Sequence, residues 1–344
     1  MAARSTINRE VKLARHSTAE LLAEHFAVKE CDVPTPCQDD VVVRNRWFRV
    51  SVSTRLMARE GAEAIEGIPF PPLRPGDTLA DAAIGEVIHS GSTSGVAVGS
   101  LVMHSLGWRE FAVVRGSECT VLESRNTDPA AFLGHGWTAY AALTQGVQIH
   151  QGDTVFVSSG AGAIGSMAGQ IARQLGAGRV IGSTSTPDKA HWMATELGYD
   201  AVVTRGNGPL IDQLKRAAPD GIDVIVDMVG GEQLSASIAV ANEGARCVLL
   251  GALTAELDSK RATLQAPVEL DGFQIILKGM TLRGFSASED ASDMFDAWIH
   301  QQEAWQREGV IQLPCTIFKG IEQAPLALQE ACAGRLKGVV LVEL

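Results

Sequence analysis

Hydrophobic positions follow two different periods along the chain, and the change between them falls near residue 128. From Val11 to about Asp128, apolar residues form short β-type runs interrupted by Gly, Pro, Asp and Ser. No helical period runs through this part, so the pattern predicts a small β-rich, barrel-like domain. The clearest predicted strands are Val41–Arg44, Ile84–Ile88, Leu101–Met103 and Phe111–Val114.

After Asp128 the pattern changes to strands that alternate with helices. Six β-type runs are separated by segments with apolar residues at helical spacing, which is typical of a doubly wound parallel α/β sheet. The predicted strands are Val155–Ser158, Arg179–Gly182, Ala201–Val203, Val224–Asp227, Cys247–Leu250 and Thr281–Gly284. The predicted helices are Ile164–Leu175, Asp188–Leu197, Pro209–Ala217, Glu232–Ala241 and Asp290–Glu308.

The final segment, Ile311 to Leu344, returns to the β pattern and ends in the apolar run Val339–Val342. We expect this tail to rejoin the first domain. The predicted organisation is therefore a β-rich domain formed by residues 1–128 and 309–344, and a nucleotide-binding domain formed by residues 129–308.

The connection between the first strand and the first helix of the second domain has the glycine spacing G-x-G-x-x-G. Its residues are Gly160, Ala161, Gly162, Ala163, Ile164 and Gly165. We assign the turn to Gly160, close approach of the backbone to phosphates to Gly162, and close packing of the helix on the strand to Gly165. The helix N-terminus then favours an anion. Because both flanks have the required period, the motif indicates dinucleotide binding rather than an ordinary turn.

The residues after the second strand of this domain favour NADP(H) over NAD. An NAD site carries an acidic residue about 20 residues after the glycines, where its carboxylate binds the ribose 2′-OH. Here small hydroxyl residues, beginning with Ser183, precede Lys189, and Asp188 is expected in the first turn of the next helix. Arg205, just past the third strand, can add a second cation for a 2′-phosphate. The alternative is that Lys189 and Arg205 are solvated surface charges.

Composition limits the class of protein and of partner. A chain of 344 residues with 46% hydrophobic and 20% charged residues predicts a globular protein of about two domains. The net charge of −11 disfavours nucleic acids and anionic membranes as partners. No apolar run approaches the ~20 residues of a membrane span, and the N-terminus lacks the apolar core of a secretory signal. We therefore expect a cytoplasmic protein.

The six cysteines do not have the spacing of a metal site. Five residues separate Cys31 from Cys37, the other four are scattered, and the sequence contains no C-x-x-C pair and no cysteine cluster with His at ligand spacing. We therefore expect free, mostly buried thiols and no metal.

Segments spread along nearly the whole chain carry a family resemblance. They are Asn45–Phe48, Gly107–Glu110, Gly136–Tyr140, the glycine turn with Gly169–Ala172, Asp227–Gly231 and Arg283–Phe285. Together they resemble the zinc-independent branch of the medium-chain dehydrogenase/reductase (MDR) superfamily, which includes leukotriene B4 12-hydroxydehydrogenase/prostaglandin reductase and the alkenal and enone double-bond reductases. The Gly-His-Glu pattern and the four-cysteine lobe of the zinc branch are absent from the sequence.

The resemblance implies a GroES-like domain completed by the C-terminal tail, a Rossmann domain, and a cleft where the two meet. It also implies a homodimer joined through the Rossmann sheets. In the second domain it implies that Val229, Gly251 and Phe285 belong to the NADP(H) site.

Two departures from the family pattern concern the reaction chemistry. The alignment puts Ser53 where the family carries one pocket tyrosine, and Glu256 where it carries another. The chain's tyrosines are Tyr140 and Tyr199. Cofactor binding tolerates these changes, whereas the substrate chemistry need not be the usual one.

The remaining candidates for stabilising an enolate or delivering a proton are Ser53, Thr254, His135 and Glu256. Each has a structural alternative: His135 can satisfy a turn, and Glu256 can be a solvated loop charge. If Glu256 is buried instead, a raised pKa would let it donate a proton near neutrality.

Three further residues are candidates for a substrate pocket. Arg55 matches an arginine of the family, but a structural ion pair explains it equally well. Trp47 and Trp108 either pack the core or form a wall of the pocket.

These features lead to the hypothesis of an NADPH-dependent ene-reductase. It would reduce the C=C bond of a small or medium apolar enone or enal by hydride transfer to the β-carbon. The second hypothesis is a zinc-independent quinone or carbonyl reductase, or an alcohol dehydrogenase. A third is a non-redox protein that keeps NADP(H) as a structural or sensing ligand, because the tyrosines are lost.

Overall fold

A computed structural model describes residues 7–64, 71–122, 128–258, 265–286 and 291–344. Contacts divide the described residues into two compact units, the first containing 7–133 and 315–344 and the second containing 134–258 and 265–314. These divisions lie a few residues beyond the expected boundaries at 128/129 and 308/309. Among the described residues, no helix combines the length and apolar composition that a membrane span requires.

The first unit is built mainly from antiparallel strands. In chain order its elements up to residue 133 are β1 (Ile7–Leu13), β2 (Phe26–Asp32), β3 (Asp40–Arg49), α1 (Thr54–Met57), β4 (Ala83–Ser90), β5 (Leu101–His104), β6 (Phe111–Arg115), β7 (Thr120–Val121) and α2 (Pro129–Leu133). Single 3-10 turns lie at Ala23–His25, Ala62–Ala64 and Gly116–Glu118. β1 and β2 form a separate hairpin, and β3 pairs with both β4 and β6. The β-rich domain expected from the short apolar runs is therefore confirmed.

The second unit begins at α3 and alternates strands with helices. Its elements are α3 (Gly136–Ala141) with a π-helical continuation (Ala142–Gly146), β8 (Thr154–Val157), α4 (Gly165–Gln174), β9 (Arg179–Thr184), α5 (Pro187–Glu196), β10 (Ala201–Thr204), α6 (Leu210–Ala217), β11 (Ile222–Asp227), α7 (Gly231–Val240), β12 (Ala241–Leu249), α8 (Leu253–Glu256), α9 (Gly272–Lys278), β13 (Thr281–Gly284) and α10 (Ala291–Arg307).

The six strands of this unit form one parallel sheet in the order β10-β9-β8-β11-β12-β13, which is the doubly wound order of a Rossmann fold. Val155 and Val157 of β8 belong to a core cluster on one face, and Phe156 belongs to a cluster on the other. Because both faces of the sheet are buried, the sequences of these strands are continuous runs of apolar residues. The predicted ends of α4, α5, α6 and α7 are met within one residue; Asp290, the predicted start of α10, lies outside the described residues.

The tail contains β14 (Cys315–Lys319), a 3-10 turn (Ile321–Gln323), α11 (Ala324–Cys332) and β15 (Val339–Glu343). β15 pairs antiparallel with β3, with Leu341 opposite Arg49, and β14 pairs parallel with β15. The main sheet of the first unit therefore runs β14-β15-β3-β4-β5-β7, with β6 also paired to β3. The tail rejoins the first unit as expected, although α11 was not expected in a segment with a β pattern.

A buried network of hydrogen bonds connects the segment Asn45–Phe48 to the segment Gly107–Glu110 in the first unit, and this explains why both contribute to the fold. The Asn45 amide donates to the carbonyls of Leu106 and Arg109 at 3.0 and 2.9 Å, and its oxygen lies 2.9 Å from His104 Nε2. The backbone N–H of Leu106 donates to His104 Nδ1 at 3.1 Å, so Nε2 carries the proton and donates to Asn45. Burial lowers the pKa of His104 to about 4, which keeps this imidazole neutral and able to accept.

Two buried glutamines of the second unit differ in whether their amides are satisfied. Gln170 donates to the Ser166 carbonyl at 2.8 Å, and it exchanges hydrogen bonds with the backbone of Gln312 at 3.2 and 2.8 Å. Gln302, on α10, is 1% exposed, and neither its side-chain nitrogen nor its oxygen has a partner among the described residues. A buried amide without partners costs stability.

We therefore predict opposite effects of the same substitution at these two positions. Gln302→Met removes an unsatisfied amide and should raise the free energy of unfolding by about 1 kcal/mol. Gln170→Met leaves the backbone N–H and carbonyl of Gln312 without their partners and should lower the free energy of unfolding by about 1–3 kcal/mol. Urea unfolding followed by circular dichroism measures both. Destabilisation by Gln302→Met as large as that by Gln170→Met would contradict the assignment.

Candidate functional site

The turn between β8 and α4 has a closely packed backbone. Ser159 has a left-handed φ of 52°, and its carbonyl accepts the N–H of Gly162 at 2.9 Å. A Cβ on Gly165 would overlap that same carbonyl oxygen and lie 2.7 Å from the Cα of Gly160. Glycine at position 165 is therefore required by the close approach of the helix start to the turn, as the motif predicts.

Gly160 has a different role from the one that the motif suggested. The left-handed backbone position of the turn is Ser159, and Gly160 does not have a positive φ. A Cβ on Gly160 would overlap the terminal methyl group of Met193 and lie 3.2 Å from the Tyr199 hydroxyl oxygen. The absence of a side chain at Gly160 therefore serves packing against Met193 of α5 and against Tyr199, not the turn itself.

Ser183, at the end of β9, holds this turn in place. Its hydroxyl accepts the N–H of Ser159 at 3.0 Å and donates to the side-chain oxygen of Gln233 on α7. Its carbonyl accepts the N–H of Gly160 at 2.8 Å. Ser183 is 2% exposed, so its observed role is to fasten the turn to the neighbouring strand and helix. The local sequence pattern did not indicate this structural role, and a contact of Ser183 with a 2′-phosphate stays a prediction.

Two predicted cations follow the strands beside the turn. Lys189 is buried in the first half of α5, whose N-cap residue, Thr186, accepts the N–H of Lys189 at 3.4 Å. Asp188 is exposed in the first turn of that helix, as expected. Arg205 is exposed just after β10, and its backbone N–H donates to the Thr184 carbonyl at 3.1 Å. Lys189 and Arg205 thus follow β9 and β10, the two strands beyond β8 in the sheet, and their contact with a 2′-phosphate stays a prediction.

Asp227 organises the loop that follows β11. Its carboxylate accepts the backbone N–H groups of Val229 and Gly230 at 3.3 and 2.8 Å, and it hydrogen-bonds the Ser158 hydroxyl. That hydroxyl in turn accepts the N–H of Met228 at 2.8 Å. Burial raises the pKa of Asp227, and these hydrogen bonds oppose the rise. The turn after β8 and the loop after β11 are thereby joined.

Thr254 joins the loop after β12 to the same structure. Its backbone N–H and its hydroxyl both donate to the Val229 carbonyl, at 3.0 and 2.7 Å. A Cβ on Gly251 would lie 3.2 Å from the Met228 carbonyl oxygen, which places the start of this loop against the loop after β11. The Thr254 hydroxyl, a catalytic candidate from sequence, therefore has a structural hydrogen bond.

Phe285 directly follows β13, an edge strand of the sheet. Its backbone N–H donates to the Leu249 carbonyl at 3.0 Å, and the guanidinium of Arg283 lies 5.5 Å from its ring centroid. The structure thus brings Val229, Gly251 and Phe285 to the same carboxyl edge of the sheet as the glycine turn. Ligands bind outside this edge in doubly wound folds.

Glu256 and His135 are the titratable catalytic candidates of the second unit. Glu256 is half-buried at the end of α8, and its carboxylate accepts the N–H of Ala252 at 3.4 Å. Burial raises the pKa of Glu256 above its ordinary value, and this hydrogen bond lowers it by less. His135 is the half-buried N-cap residue of α3, and its side chain does not cap that helix.

The other candidates lie in the first unit. Ser53 is the N-cap residue of α1 and is half-buried, without a side-chain cap bond. Arg55 is 4% exposed and donates to the Ala19 carbonyl at 3.1 Å. Trp108 is fully buried, has a left-handed φ of 63°, and packs on Phe48 with ring centroids 5.2 Å apart. Arg55 and Trp108 are thus interior residues of this unit, so their roles at a substrate pocket stay predictions.

Trp47 is half-buried and lines a cavity of about 470 Å³ on the first unit. Its other lining residues are Arg44, Asn45, Arg46, Glu110, Phe111, Glu343 and Leu344. The substrate contact proposed for Trp47 stays a prediction.

Three residues of the carboxyl edge were missed as contributors to the site, namely Ser158, Ser159 and Gln233. Their partners lie 24 to 70 residues away in sequence, so no local spacing marks them. The one available signal was the Ser158-Ser159 pair directly before the glycines, because short hydroxyl side chains often bond to nearby backbone groups.

Among the described residues, no group of three or more His, Cys, Asp or Glu side chains is arranged to hold a metal ion. All six cysteines are free thiols, and Cys247 and Cys332 are buried.

Two family descriptions match separate parts of the chain. Residues 9–122 match the family described as "N-terminal domain of oxidoreductase", and residues 163–301 match the family described as "Zinc-binding dehydrogenase".

Full-length relatives and a solved structure extend this match. The chain is 30% identical over 339 residues to YfmJ of Bacillus subtilis, an NADP-dependent oxidoreductase by name, and the alignment covers 97% of each chain. It is 26% identical to a 2-alkenal reductase (NADP(+)-dependent) of Nicotiana tabacum, covering 97% of each. Its structure matches that of CurA from Vibrio vulnificus in complex with NADPH with a TM-score of 0.85 and 26% identity, covering 97% of this chain and 98% of the other.

The close contacts of the turn generate a prediction for two glycines. In Gly165→Ala the new methyl group meets backbone atoms of Ser159 and Gly160 that cannot rotate away, so we expect a loss of roughly 1–3 kcal/mol in the free energy of unfolding. In Gly160→Ala the closest atom is the flexible end of Met193, so the loss should be smaller. Chemical denaturation of both variants checks the order, and a larger loss in Gly160→Ala would contradict it.

Proposed function

Since the chain belongs to the zinc-independent branch of the medium-chain dehydrogenase/reductase superfamily, we propose that it is an NADPH-dependent ene-reductase. Its substrate class would be α,β-unsaturated ketones and aldehydes of small or medium size. The observation that carries the proposal is the set of loops at the carboxyl edge of the parallel sheet, which are bonded to one another around a glycine turn with no acidic residue at the ribose position. The NADP dependence of a full-length alkenal reductase relative and the NADPH-bound CurA structure support it.

The protein's own residues would hold the two charged parts of the cofactor. The turn from Gly160 to Gly165 and the N-terminus of α4 would bind the pyrophosphate. Lys189 and Arg205 would bind the 2′-phosphate. The residues Val229, Gly251 and Phe285 would contact the nicotinamide half, which supplies the hydride when bound. Fixing both reactants in this way provides proximity and orientation.

NADPH oxidation during turnover tests the reaction. The purified protein should oxidise NADPH when an enal or enone is added, with the saturated carbonyl compound as product. An alcohol product would identify carbonyl reduction instead, and turnover restricted to quinones would identify a quinone reductase. NADPH binding without turnover across enals, enones, quinones and carbonyls would reject the enzyme assignment.

The cofactor preference is tested with Lys189→Ala and Arg205→Ala. Each removes a charge-assisted contact worth roughly 1.5–3 kcal/mol, so the Kd for NADPH should rise about tenfold or more while the Kd for NADH changes little. Lys215→Ala, which removes an exposed charge from the last turn of α6, is the matched control. Equal affinity of the unmodified protein for NADPH and NADH would contradict the assignment.

A homodimer formed through the parallel sheets is part of the proposal. β13 is the edge strand of the sheet, and the neighbouring helix α9 exposes Phe273, Ile276 and Leu277 by 67%, 74% and 60%. An unpaired strand edge beside exposed apolar side chains favours association with a second copy.

Ile276→Asp should therefore convert the dimer to a monomer, because it places a charge in an apolar interface. Ile317→Asp is the matched control: Ile317 lies on β14, an edge strand of the main sheet of the first unit, and is 44% exposed. Light scattering after size-exclusion chromatography measures the mass. A monomeric unmodified protein, or dimers that persist in Ile276→Asp, would overturn this interface.

A further inference from the structure

Few side chains at the carboxyl edge of the second unit can supply a proton to a bound substrate. We infer that Glu256 is the catalytic acid of the reaction, donating its carboxyl proton to the substrate carbon next to the carbonyl. The inference rests on the proposed function, because it presupposes an enone or enal held at this edge.

The position of Glu256 follows from the bonding of α8. Thr254, two residues earlier, is tied through its N–H and hydroxyl to the Val229 carbonyl. The Glu256 carboxylate turns back toward the start of the same helix, where the Ala252 N–H reaches it at 3.4 Å. The carboxyl group is therefore held beside the loops that follow β11 and β12, at the edge where the dinucleotide would lie.

Three other proton-bearing groups of the described residues near this edge are committed elsewhere. Asp227 is 1% exposed and enclosed by the N–H groups of its own loop. The Ser183 hydroxyl donates to Gln233. The Tyr199 hydroxyl is buried and donates to the Gly165 carbonyl at 2.7 Å. Glu256 has a single long hydrogen bond among the described residues and is only half-buried, so its carboxyl remains available to a ligand.

The electrostatic setting of Glu256 suits an acid rather than a carboxylate. Burial raises its pKa, and the hydrogen bond from the Ala252 N–H lowers it by less. No charged side chain of the described residues contributes to the shift. A larger fraction of the group is therefore protonated near neutrality than for an exposed glutamate.

The proton transfer balances with the hydride transfer. A hydride from NADPH forms the new C–H bond at the β-carbon, and the π electrons of the C=C bond move to form the enolate. The O–H bond of Glu256 then breaks, its proton forms a C–H bond at the α-carbon, and the carboxylate that remains takes a proton from water. One NADPH and one proton are consumed, and the product is the saturated ketone or aldehyde.

Glu256→Gln tests the inference, with Glu196→Gln as the matched control because Glu196 is an exposed glutamate at the end of α5. We expect kcat with an enone to fall about 100-fold or more in Glu256→Gln, with the Kd for NADPH unchanged. In the unmodified protein kcat should fall as the pH rises through the raised pKa of Glu256, and this fall should be absent in the variant. Glu196→Gln should behave as the unmodified protein.

Infrared spectroscopy gives a readout that needs no turnover. As the pH rises, the C=O band of a protonated carboxyl group should persist to higher pH in the unmodified protein and in Glu196→Gln than in Glu256→Gln. An unchanged band, an unchanged kcat in Glu256→Gln, or a loss of NADPH affinity in that variant would each overturn the role of Glu256. Absence of enone turnover by the unmodified protein would instead overturn the proposed function.

Discussion

The close contact between the start of α4 and the turn after β8 is the constraint on which the carboxyl edge of the sheet depends. Gly165 brings the helix against the Ser159 carbonyl, and Ser159 can keep its left-handed backbone because Ser183 binds its N–H. A residue in that region costs free energy unless the surrounding structure holds it there. The Ser158 hydroxyl, directly before this turn, hydrogen-bonds the Asp227 carboxylate and accepts the N–H of Met228, so it connects the turn to the loop after β11. The result is a set of loops held to one another by hydrogen bonds, and such mutual support favours precise positioning of two reactants.

Most strands and helices of the second unit could be predicted because its sheet is buried on both faces; α8, α9 and the first part of β12 were not predicted. Each buried strand is then a continuous run of apolar residues, whereas each connecting helix has apolar residues at a period of about 3.6. The two patterns are easily distinguished in the sequence. The first unit and its tail were harder to predict. α11 has its buried residues at helical spacing, namely Ala324, Ala327, Leu328 and Cys332, and Pro325 near its start. This short helix lies between the apolar strands β14 and β15. Because their β pattern is stronger than its helical spacing, the whole segment was predicted as β structure.

The location of the candidate site in the fold could be predicted from the sequence more readily than the structural role of each residue in it. Glycine spacing and the missing acidic residue identify the edge of the sheet and the type of nucleotide that it favours, since both are local patterns. The roles of Ser183, Thr254 and Trp108 depend on partners far away in the chain. Ser183 bonds to Ser159 and Gln233, Thr254 bonds to Val229, and Trp108 packs on Phe48. A single sequence contains no record of such pairings, so the hydrogen bonds of Ser183 and Thr254 and the packing of Trp108 could not be predicted from it.

The antiparallel pairing of β15 with β3 has a consequence for how the protein is made. The first unit needs residues separated by nearly the whole chain, because Leu341 stands opposite Arg49, whereas the parallel sheet of the second unit is drawn from the stretch between them. During synthesis from the N-terminus, the nucleotide-binding unit can therefore complete its core while β3 still lacks its partner at that edge. Until the last strand leaves the ribosome, this open edge is exposed to mispairing with other nascent chains.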